Sequence, residues 1–256
     1  MSLELERKLH MFVKKHGRFI YIFGCLLFAV LSLAASLADS RFGLSEKSPI
    51  LAAYKCCVIA ACLIFLRGGE YRRRPAAAAA MLAVGLGSVI LTAAGSLYAV
   101  NAPRPLLDNL WFAFCILASS VSEELYFRGV GVRLAETVSG IRISADRGGI
   151  VMLCVGYTLP QLLSGAGGGI IWLLQTVLAF SFGLLSLALY CSCRSITVCC
   201  TVHFLMSYLS SFTAYNTSAQ SPMAGFVFFC ILHIAAAVYN IAMGLYVLKR
   251  SRRYGG

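Results

Sequence analysis

The chain has 256 residues, of which 59% are hydrophobic and only 12% are charged, and its formal net charge is +12 at pH 7. A soluble domain carries about 25% charged residues, so this composition excludes an ordinary soluble protein and predicts an all-α, polytopic membrane helix bundle. The basic residues stand in short clusters between apolar runs, as in cytoplasmic loops of membrane proteins, so the charge does not indicate nucleic-acid binding.

Apolar runs of about the length needed to cross a ~30 Å hydrocarbon core predict about eight transmembrane helices. In chain order they cover residues 19–38, 49–66, 76–100, 109–127, 150–163, 170–191, 195–213 and 223–248. The first run follows a basic segment, residues 1–18. A cleaved signal peptide is the alternative there, but its apolar core exceeds the usual ~7–15 residues, which favours a retained anchor.

The fifth run, residues 150–163, is short enough to be a re-entrant or buried helix, and the charge pattern decides for a span. With eight spans, the basic clusters fall on one side of the membrane. They are the N-terminal segment, Arg67, Arg72, Arg73, Arg74, Arg128, Arg133, Arg142, Arg147, Arg194, Lys249, Arg250, Arg252 and Arg253. The positive-inside rule then places both termini in the cytoplasm. We expect a single integral membrane domain over 1–256, in the inner membrane if the source is bacterial.

Three further features lie between or within the spans. Residues 129–149 mix apolar and polar side chains, which predicts a short amphipathic interfacial helix. Lys55, about six residues into the second span, is expected to extend its ammonium to the membrane surface. Asn216 begins a glycosylation triplet, and Cys191 and Cys193 are at best a lipidation or metal-contact site.

The most informative stretch is Ser119 to Gly129, because it places two adjacent carboxylates and an arginine at the end of an apolar run. A charged side chain at membrane depth costs about 2.5–3.5 kcal/mol on insertion scales and marks a functional-site hypothesis. Glu124 and Arg128 are four residues apart and share a helix face. Glu123 is turned about 100° away and has no local cation, so it is the freer base.

Four polar side chains fall at similar depths in the predicted bundle. At a rise of ~1.5 Å per residue, Glu123, His203 and Gln161 lie ~8, ~12 and ~17 Å from the cytoplasmic face. Ser207 is one helical turn beyond His203 and can present its hydroxyl beside the imidazole. One cavity can hold all four, although interhelical hydrogen bonds alone also explain such residues. Packing contacts explain three more, Gln175, His233 and Asn240.

The motif Glu123-Glu124-Leu-Tyr-Phe-Arg128 resembles the Glu-Glu-x-x-x-Arg motif of the CAAX prenyl endopeptidase and bacteriocin-processing (CPBP, Abi) family of intramembrane glutamic proteases. Thr201-Val-His203-Phe-Leu-Met-Ser207 resembles that family's late His-x-x-x-Asn motif, and Phe182 to Arg194 resembles the preceding helix and turn. The resemblance covers roughly residues 109–213, the expected catalytic core.

The resemblance implies roles for individual residues. Glu123 would be the general base on a water molecule, and His203 would donate to the oxyanion. The family's middle motif, Phe-x-x-x-His, has Tyr157 and Gln161 in the corresponding places, and Ser207 replaces the late asparagine. The implied catalytic set is Glu123, Glu124, His203, Gln161, Ser207 and Arg128. We expect no cofactor and no metal, because one histidine and two glutamates that face apart do not assemble the usual three zinc ligands.

Three functions fit these observations. The first is an endopeptidase that cleaves a membrane-associated or lipidated substrate near the cytoplasmic face. The second is a catalytically inactive relative that binds a hydrophobic or lipidated peptide in a chaperone, immunity or scaffold role. The third, a proton-coupled transporter, lacks the paired discontinuous helices of inverted repeats. The lipid bilayer and a peptide are the expected partners, and the sequence leaves the oligomeric state open.

Overall fold

The computed structural model describes residues 3–43, 48–66, 75–96, 105–164, 169–215 and 223–254. Within these ranges the chain forms nine α-helices and one π-helical turn, without a strand. They are α1 Leu3–Arg41, α2 Pro49–Leu66, α3 Pro75–Ser96, α4 Leu106–Glu124, the π turn Leu125–Val130, α5 Gly131–Ser139, α6 Arg147–Ser164, α7 Gly169–Cys193, α8 Ile196–Tyr215 and α9 Met223–Tyr254. The predicted all-α class is confirmed.

Each of the eight predicted spans falls on one long helix. Among the described residues, six stretches are long and apolar enough to cross a membrane, and α8 adds a shorter apolar stretch. The six are Lys15–Arg41, Pro49–Leu66, Ala77–Ala94, Leu106–Ser139, Gly169–Cys193 and Val227–Arg252. The protein is therefore a multi-pass membrane protein, whereas the count of eight and the cytoplasmic termini stay predictions. Asn216, Arg67 and residues 72–74 lie outside the described residues.

Basic side chains tie several helices together at one end of the bundle. Arg133 of α5 donates to the Phe65 carbonyl at the end of α2, at 3.2 Å. Arg194, between α7 and α8, holds both carboxylate oxygens of Glu136 at 2.7 and 3.2 Å. Arg252 of α9 donates to a carbonyl in the segment between α5 and α6. We call this end, marked by Arg133, Arg194 and Arg252, the basic end.

The pKa of the Arg194 guanidinium reflects this ion pair. Burial alone lowers the pKa, but the hydrogen bonds and charge of Glu136 outweigh burial and raise it above its usual value. The guanidinium therefore stays charged, and the link between α5 and the α7–α8 connection persists over the physiological pH range.

The predicted helix within residues 129–149 is present as α5, which ends at Ser139 and is followed by Gly140 as its cap. That glycine has a φ of +69° and donates its N–H to the Glu136 carbonyl at 2.9 Å, a common helix ending. Val132 and Ala135 are buried, and α5 packs against α1 and the π turn. Its apolar side thus contacts protein, which the sequence pattern alone did not distinguish from a membrane surface.

Helix α7 forms the centre of the packed core. It contacts α9, α6, α3 and α8, and its second half, from Ser181 to Cys191, is buried throughout. A helix that is apolar all round is expected in such a place. Cys191 and Cys193 belong to this core, so their thiols are not exposed for lipidation.

At the other end of the bundle, Asp39 near the end of α1 fixes the start of α2. Its two carboxylate oxygens accept hydrogen bonds from the backbone N–H groups of Ile50 and Leu51, both at 3.0 Å. A carboxylate at a helix N-terminus satisfies unpaired N–H groups and favours the helix dipole. The contact sets the position of the first turns of α2, which carry Lys55.

Candidate functional site

The helix that carries the acidic motif changes its winding directly after the motif. Helix α4 ends at Glu124 and continues through the π turn Leu125–Val130 into α5. Wider turns of this kind are rare and occur frequently at functional sites. The sequence periodicity predicted an ordinary helix here and gave no indication of the turn.

Glu124 is the centre of a buried polar cluster and has no exposed surface. Its Oε2 accepts the Ser186 hydroxyl of α7 at 2.7 Å and lies 3.2 Å from the Arg128 Nε in an ion pair without hydrogen-bond alignment. Its Oε1 lies 3.0 Å from the His203 Nδ1 of α8. The predicted pairing of Glu124 with Arg128 is confirmed, and Glu124 joins α4, α7 and α8.

Arg128 is held by two further contacts within the core. Its Nη2 donates to the Gly183 carbonyl at 3.0 Å, and its guanidinium lies 4.1 Å from the centre of the Tyr157 ring. A guanidinium over an aromatic face gains cation–π attraction, which is larger away from water. Arg128 is thus a buried structural counter-charge for Glu124.

Glu123, the neighbouring residue, faces a cavity and is 20% exposed. Its Oε1 receives the Lys55 ammonium at 3.1 Å and the Ser119 hydroxyl at 3.0 Å. The expectation for Lys55 is therefore wrong, because it does not extend to the membrane surface but is buried. Glu123 has no cation at helical spacing, as expected, but Lys55 supplies one from another helix, so Glu123 is not the free base that the spacing indicated. The helix-spacing rule considers neighbours on one helix only, whereas this cation comes from α2.

His203 lies between the two glutamates. Because a carboxylate only accepts, the short Nδ1 contact to Glu124 assigns the hydrogen to Nδ1. The opposite atom, Nε2, lies 3.3 Å from the Tyr157 hydroxyl and 3.9 Å from Glu123 Oε2. The imidazole is therefore oriented by Glu124 and presents Nε2 towards Glu123.

The middle segment contributes Tyr157 more directly than Gln161. Tyr157 is buried and places its hydroxyl on His203. Gln161, one turn further along α6, lines the same cavity and donates from Nε2 to the Gln175 Oε1 of α7 at 3.2 Å. The sequence comparison assigned Tyr157 only the place of a phenylalanine. Its hydroxyl inside an apolar run was the available indication of a further role.

The remaining candidates line the cavity or pack nearby. Ser207 lies in the cavity wall one turn beyond His203, whose ring nitrogens contact Glu124 and Tyr157 instead. His233 of α9 also lines the cavity, with its Nδ1 2.9 Å from a carbonyl one turn earlier. Asn240 is fully buried and donates to a serine of α7 at 3.5 Å.

The cavity has a volume of about 950 Å³ and lies in the half of the bundle away from the basic end. It is lined by the second half of α1, the first turns of α2, the end of α3, the second half of α4, the second half of α6, the first half of α7, α8 and the first turns of α9. Its polar lining residues are Ser32, Ser36, Ser40, Lys55, Thr92, Ser119, Ser120, Glu123, Tyr157, Gln161, Gln175, His203, Ser207, Ser210 and His233. Glu123 and His203 are reached from this side.

The charges of the site balance before His203 is counted. Glu123 is paired with Lys55, and Glu124 with Arg128. Buried charges without partners are costly, whereas paired and hydrogen-bonded charges are tolerated. In the described part of the chain, no group of three or more histidine, cysteine, aspartate or glutamate side chains is arranged to hold a metal ion.

The fold and the site together define a class of protein. It is a multi-pass helical membrane protein with a Glu-Glu-x-x-x-Arg motif on a buried helix and a histidine later in the chain. Residues 105–209 match the family described as Type II CAAX prenyl endopeptidase Rce1-like, and the predicted resemblance is thereby confirmed. The matched segment includes all six residues of the implied catalytic set and excludes Lys55. No curated protein and no solved structure matches the chain.

Proposed function

We propose that the protein is an intramembrane endopeptidase that hydrolyses a peptide bond with water activated by Glu123. One observation carries the proposal: Glu123 faces the cavity beside the His203 Nε2, while Glu124 fixes the other side of that imidazole. A base next to an oriented histidine in a cavity within the bundle supplies the main groups that amide hydrolysis needs.

The reaction proceeds in two stages. The Glu123 carboxylate takes a proton from water, and the water oxygen forms a bond to the peptide carbonyl carbon while the C=O electron pair moves onto oxygen. The tetrahedral oxyanion then re-forms the carbonyl, the C–N bond breaks, and the leaving nitrogen takes the proton from Glu123. The products are a carboxylic acid and an amine. Proton transfer by a positioned group contributes about 10²–10⁴ in rate.

His203 stabilises the oxyanion through Nε2. In its protonated form it donates there, and the Glu124 carboxylate on Nδ1 compensates the positive charge, as the aspartate does in a serine-protease triad. Ser207, in the same cavity wall, offers a hydroxyl as a second donor. Gln161 cannot exchange a proton, and its part is to orient water or the peptide through its amide.

The cavity supports a peptide substrate held in or at the membrane, including a lipidated one. Ligand sites usually occupy about 300–1,000 Å³, and this cavity is at the upper end of that range at about 950 Å³. Apolar residues such as Leu33, Leu37, Ile116 and Leu178 alternate with its serines and glutamines. Because the cavity lies away from the basic end, the substrate reaches Glu123 from the opposite side of the bundle. If the basic end is cytoplasmic, as the charge pattern predicts, this entry side does not agree with the expected cleavage near the cytoplasmic face.

A second candidate is a binding protein without catalytic activity. It is favoured by the Lys55 ammonium on Glu123, because this ion pair occupies one oxygen of the carboxylate that would otherwise act as the base. Gln161 also favours a binding protein, because its amide cannot exchange a proton. In this function the cavity binds a hydrophobic or lipidated peptide and releases it uncleaved.

The test is peptide cleavage by the purified protein in liposomes, with a library of transmembrane and lipidated peptides analysed by mass spectrometry. We expect cleavage by the wild type and none by Glu123→Gln, which keeps an oxygen to accept from Lys55 and Ser119. Glu136→Gln, the same substitution at the basic end, is the matched control and should cleave normally. Equal peptide binding by wild type and Glu123→Gln, without cleavage by either, would establish the binding protein instead.

A further inference from the structure

Lys55 contacts Glu123 directly, although it lies outside the matched segment, residues 105–209. Its Nζ lies 3.1 Å from Glu123 Oε1, and only 5% of its side chain is exposed. The ammonium also lies 4.3 Å from the centre of the Phe28 ring of α1. A lysine in this environment has a specific partner rather than a solvated surface.

The local fold holds Lys55 in place. The Asp39 carboxylate fixes the first turn of α2, and Lys55 follows about one and a half turns later. On the opposite side Ser119, one turn before Glu123 on α4, donates to the same Oε1. Two donors on two helices therefore constrain a single oxygen of Glu123.

The consequence concerns the other oxygen. Because Oε1 is taken by Lys55 and Ser119, Oε2 is the oxygen that faces His203, at 3.9 Å from Nε2. That distance is too long for a direct hydrogen bond. It leaves Oε2 as the atom that would take a proton from a water molecule held between the two side chains.

We propose that Lys55 is a positioning residue for the general base: it holds Glu123 Oε1 so that Oε2 acts on water beside His203. The inference rests on the proposed function, since positioning matters only if Glu123 is a base. It assigns the cation of the site to α2, although the family motifs lie on later helices. A misplacement of about 1 Å of a catalytic group costs about 10² in rate.

The first experiment measures steady-state cleavage by Lys55→Met and Lys55→Arg, with Lys249→Met at an exposed lysine of the basic end as the matched control. Lys55→Met should lower kcat about 10²-fold with little change in KM, and Lys55→Arg should recover part of it. Lys55→Ala should regain kcat with added ethylammonium but not with ethanol. An unchanged kcat in Lys55→Met, or equal recovery with ethanol, would overturn the proposal.

The second experiment measures thermal unfolding of the wild type, Lys55→Met, Glu123→Gln and the double variant. Lys55→Met leaves the Glu123 charge without its cation and should lower the midpoint by about 6–12 °C. The double variant, which lacks both charges, should recover at least half of that loss. If the changes in midpoint caused by the two single substitutions simply add in the double variant, the two side chains do not form the ion pair. If the effects of the two substitutions on the midpoint are coupled but the wild type cleaves no peptide, the proposed function is wrong and Lys55 is only a structural partner of Glu123.

Discussion

The two halves of the bundle differ in how they treat polar groups. At the basic end the second half of α7 is buried on all sides, and hydrogen bonds from Arg133 and Arg252 to backbone carbonyls and an ion pair from Arg194 to Glu136 join neighbouring segments. In the opposite half, polar side chains line a cavity of about 950 Å³. The packed half provides rigidity, whereas the cavity half leaves space for water and a substrate.

The boundary between the halves passes between two adjacent residues. Glu124 has no exposed surface and is bound by three helical segments, whereas Glu123 is 20% exposed to the cavity. The same side chain at consecutive positions is therefore structural in one case and available for chemistry in the other. Substitutions at the two positions should separate stability from activity.

The largest expected effect is that of Glu124→Gln. The amide keeps the shape but leaves Arg128 as a buried charge without a counter-charge, which costs about 3–5 kcal/mol of the free energy of unfolding. The carboxylate contacts Ser186 through one oxygen and His203 through the other, whereas the amide has a single acceptor oxygen. The orientation of His203 is therefore weakened, and cleavage should fall with stability. Thermal unfolding in detergent and peptide cleavage measure the two quantities.

Glu123→Gln provides the comparison for that variant. The Glu123 side chain is 20% exposed to the cavity, whereas Glu124 has no exposed surface, so the unfolding midpoint of Glu123→Gln should fall less than that of Glu124→Gln. If both substitutions lower the midpoint equally, the two glutamates do not belong to different regions and the proposed division is wrong.

The sequence was sufficient for features that depend on one helix at a time. Apolar runs located every long helix, and the four-residue spacing paired Glu124 with Arg128, because hydropathy and helical periodicity are local properties. It missed Lys55 and the Tyr157 hydroxyl because each acts on a side chain from another helix. The contact between α2 and α4 has no counterpart in the spacing of residues along the chain.

The π turn was missed for a related reason. Neither the hydropathy nor the spacing of Leu125–Val130 distinguishes a wider turn from an α-helical one. Within the turn Phe127 and Arg128 are buried in the core, a tertiary feature that the local pattern does not contain. Gln161 shows the opposite case: its place in the motif predicted a role beside Glu123, whereas its described side-chain partner is Gln175. Its part in catalysis stays a prediction.

A second comparison uses one substitution in both halves. Leu187 of α7 is 1% exposed in the core, and Leu51 of α2 lines the cavity. Leu187→Ala should lower the free energy of unfolding by about 2 kcal/mol. This is near the lower end of the range for core leucines, because the unfolded chain in lipid keeps its apolar contacts. Leu51→Ala only enlarges an existing cavity and should cost less than about 1 kcal/mol.

The functional outcome of the leucine pair should be reversed. Leu51→Ala should change KM for peptide substrates, whereas Leu187→Ala should leave kcat and KM of the folded fraction unchanged. Chemical unfolding and steady-state kinetics at a temperature where both variants are folded measure this. Loss of stability in Leu51→Ala as large as in Leu187→Ala would mean that the cavity half is packed as tightly as the basic end.

The smallest expected effect tests the contact that joins the halves, the Tyr157 hydroxyl on His203 Nε2 at 3.3 Å. Tyr157→Phe keeps the ring over Arg128 and removes one hydrogen bond of about 1 kcal/mol, so kcat should fall about fivefold with little change in unfolding.

Tyr239→Phe removes a comparable bond, to the Val84 carbonyl at 2.8 Å, away from the cavity. That control should lose a little stability and no activity, because its hydroxyl holds α9 to α3 rather than orienting a group beside Glu123. An equal kcat for wild type and Tyr157→Phe would show that Glu124 alone orients His203, and the packed half would then suffice to position the imidazole.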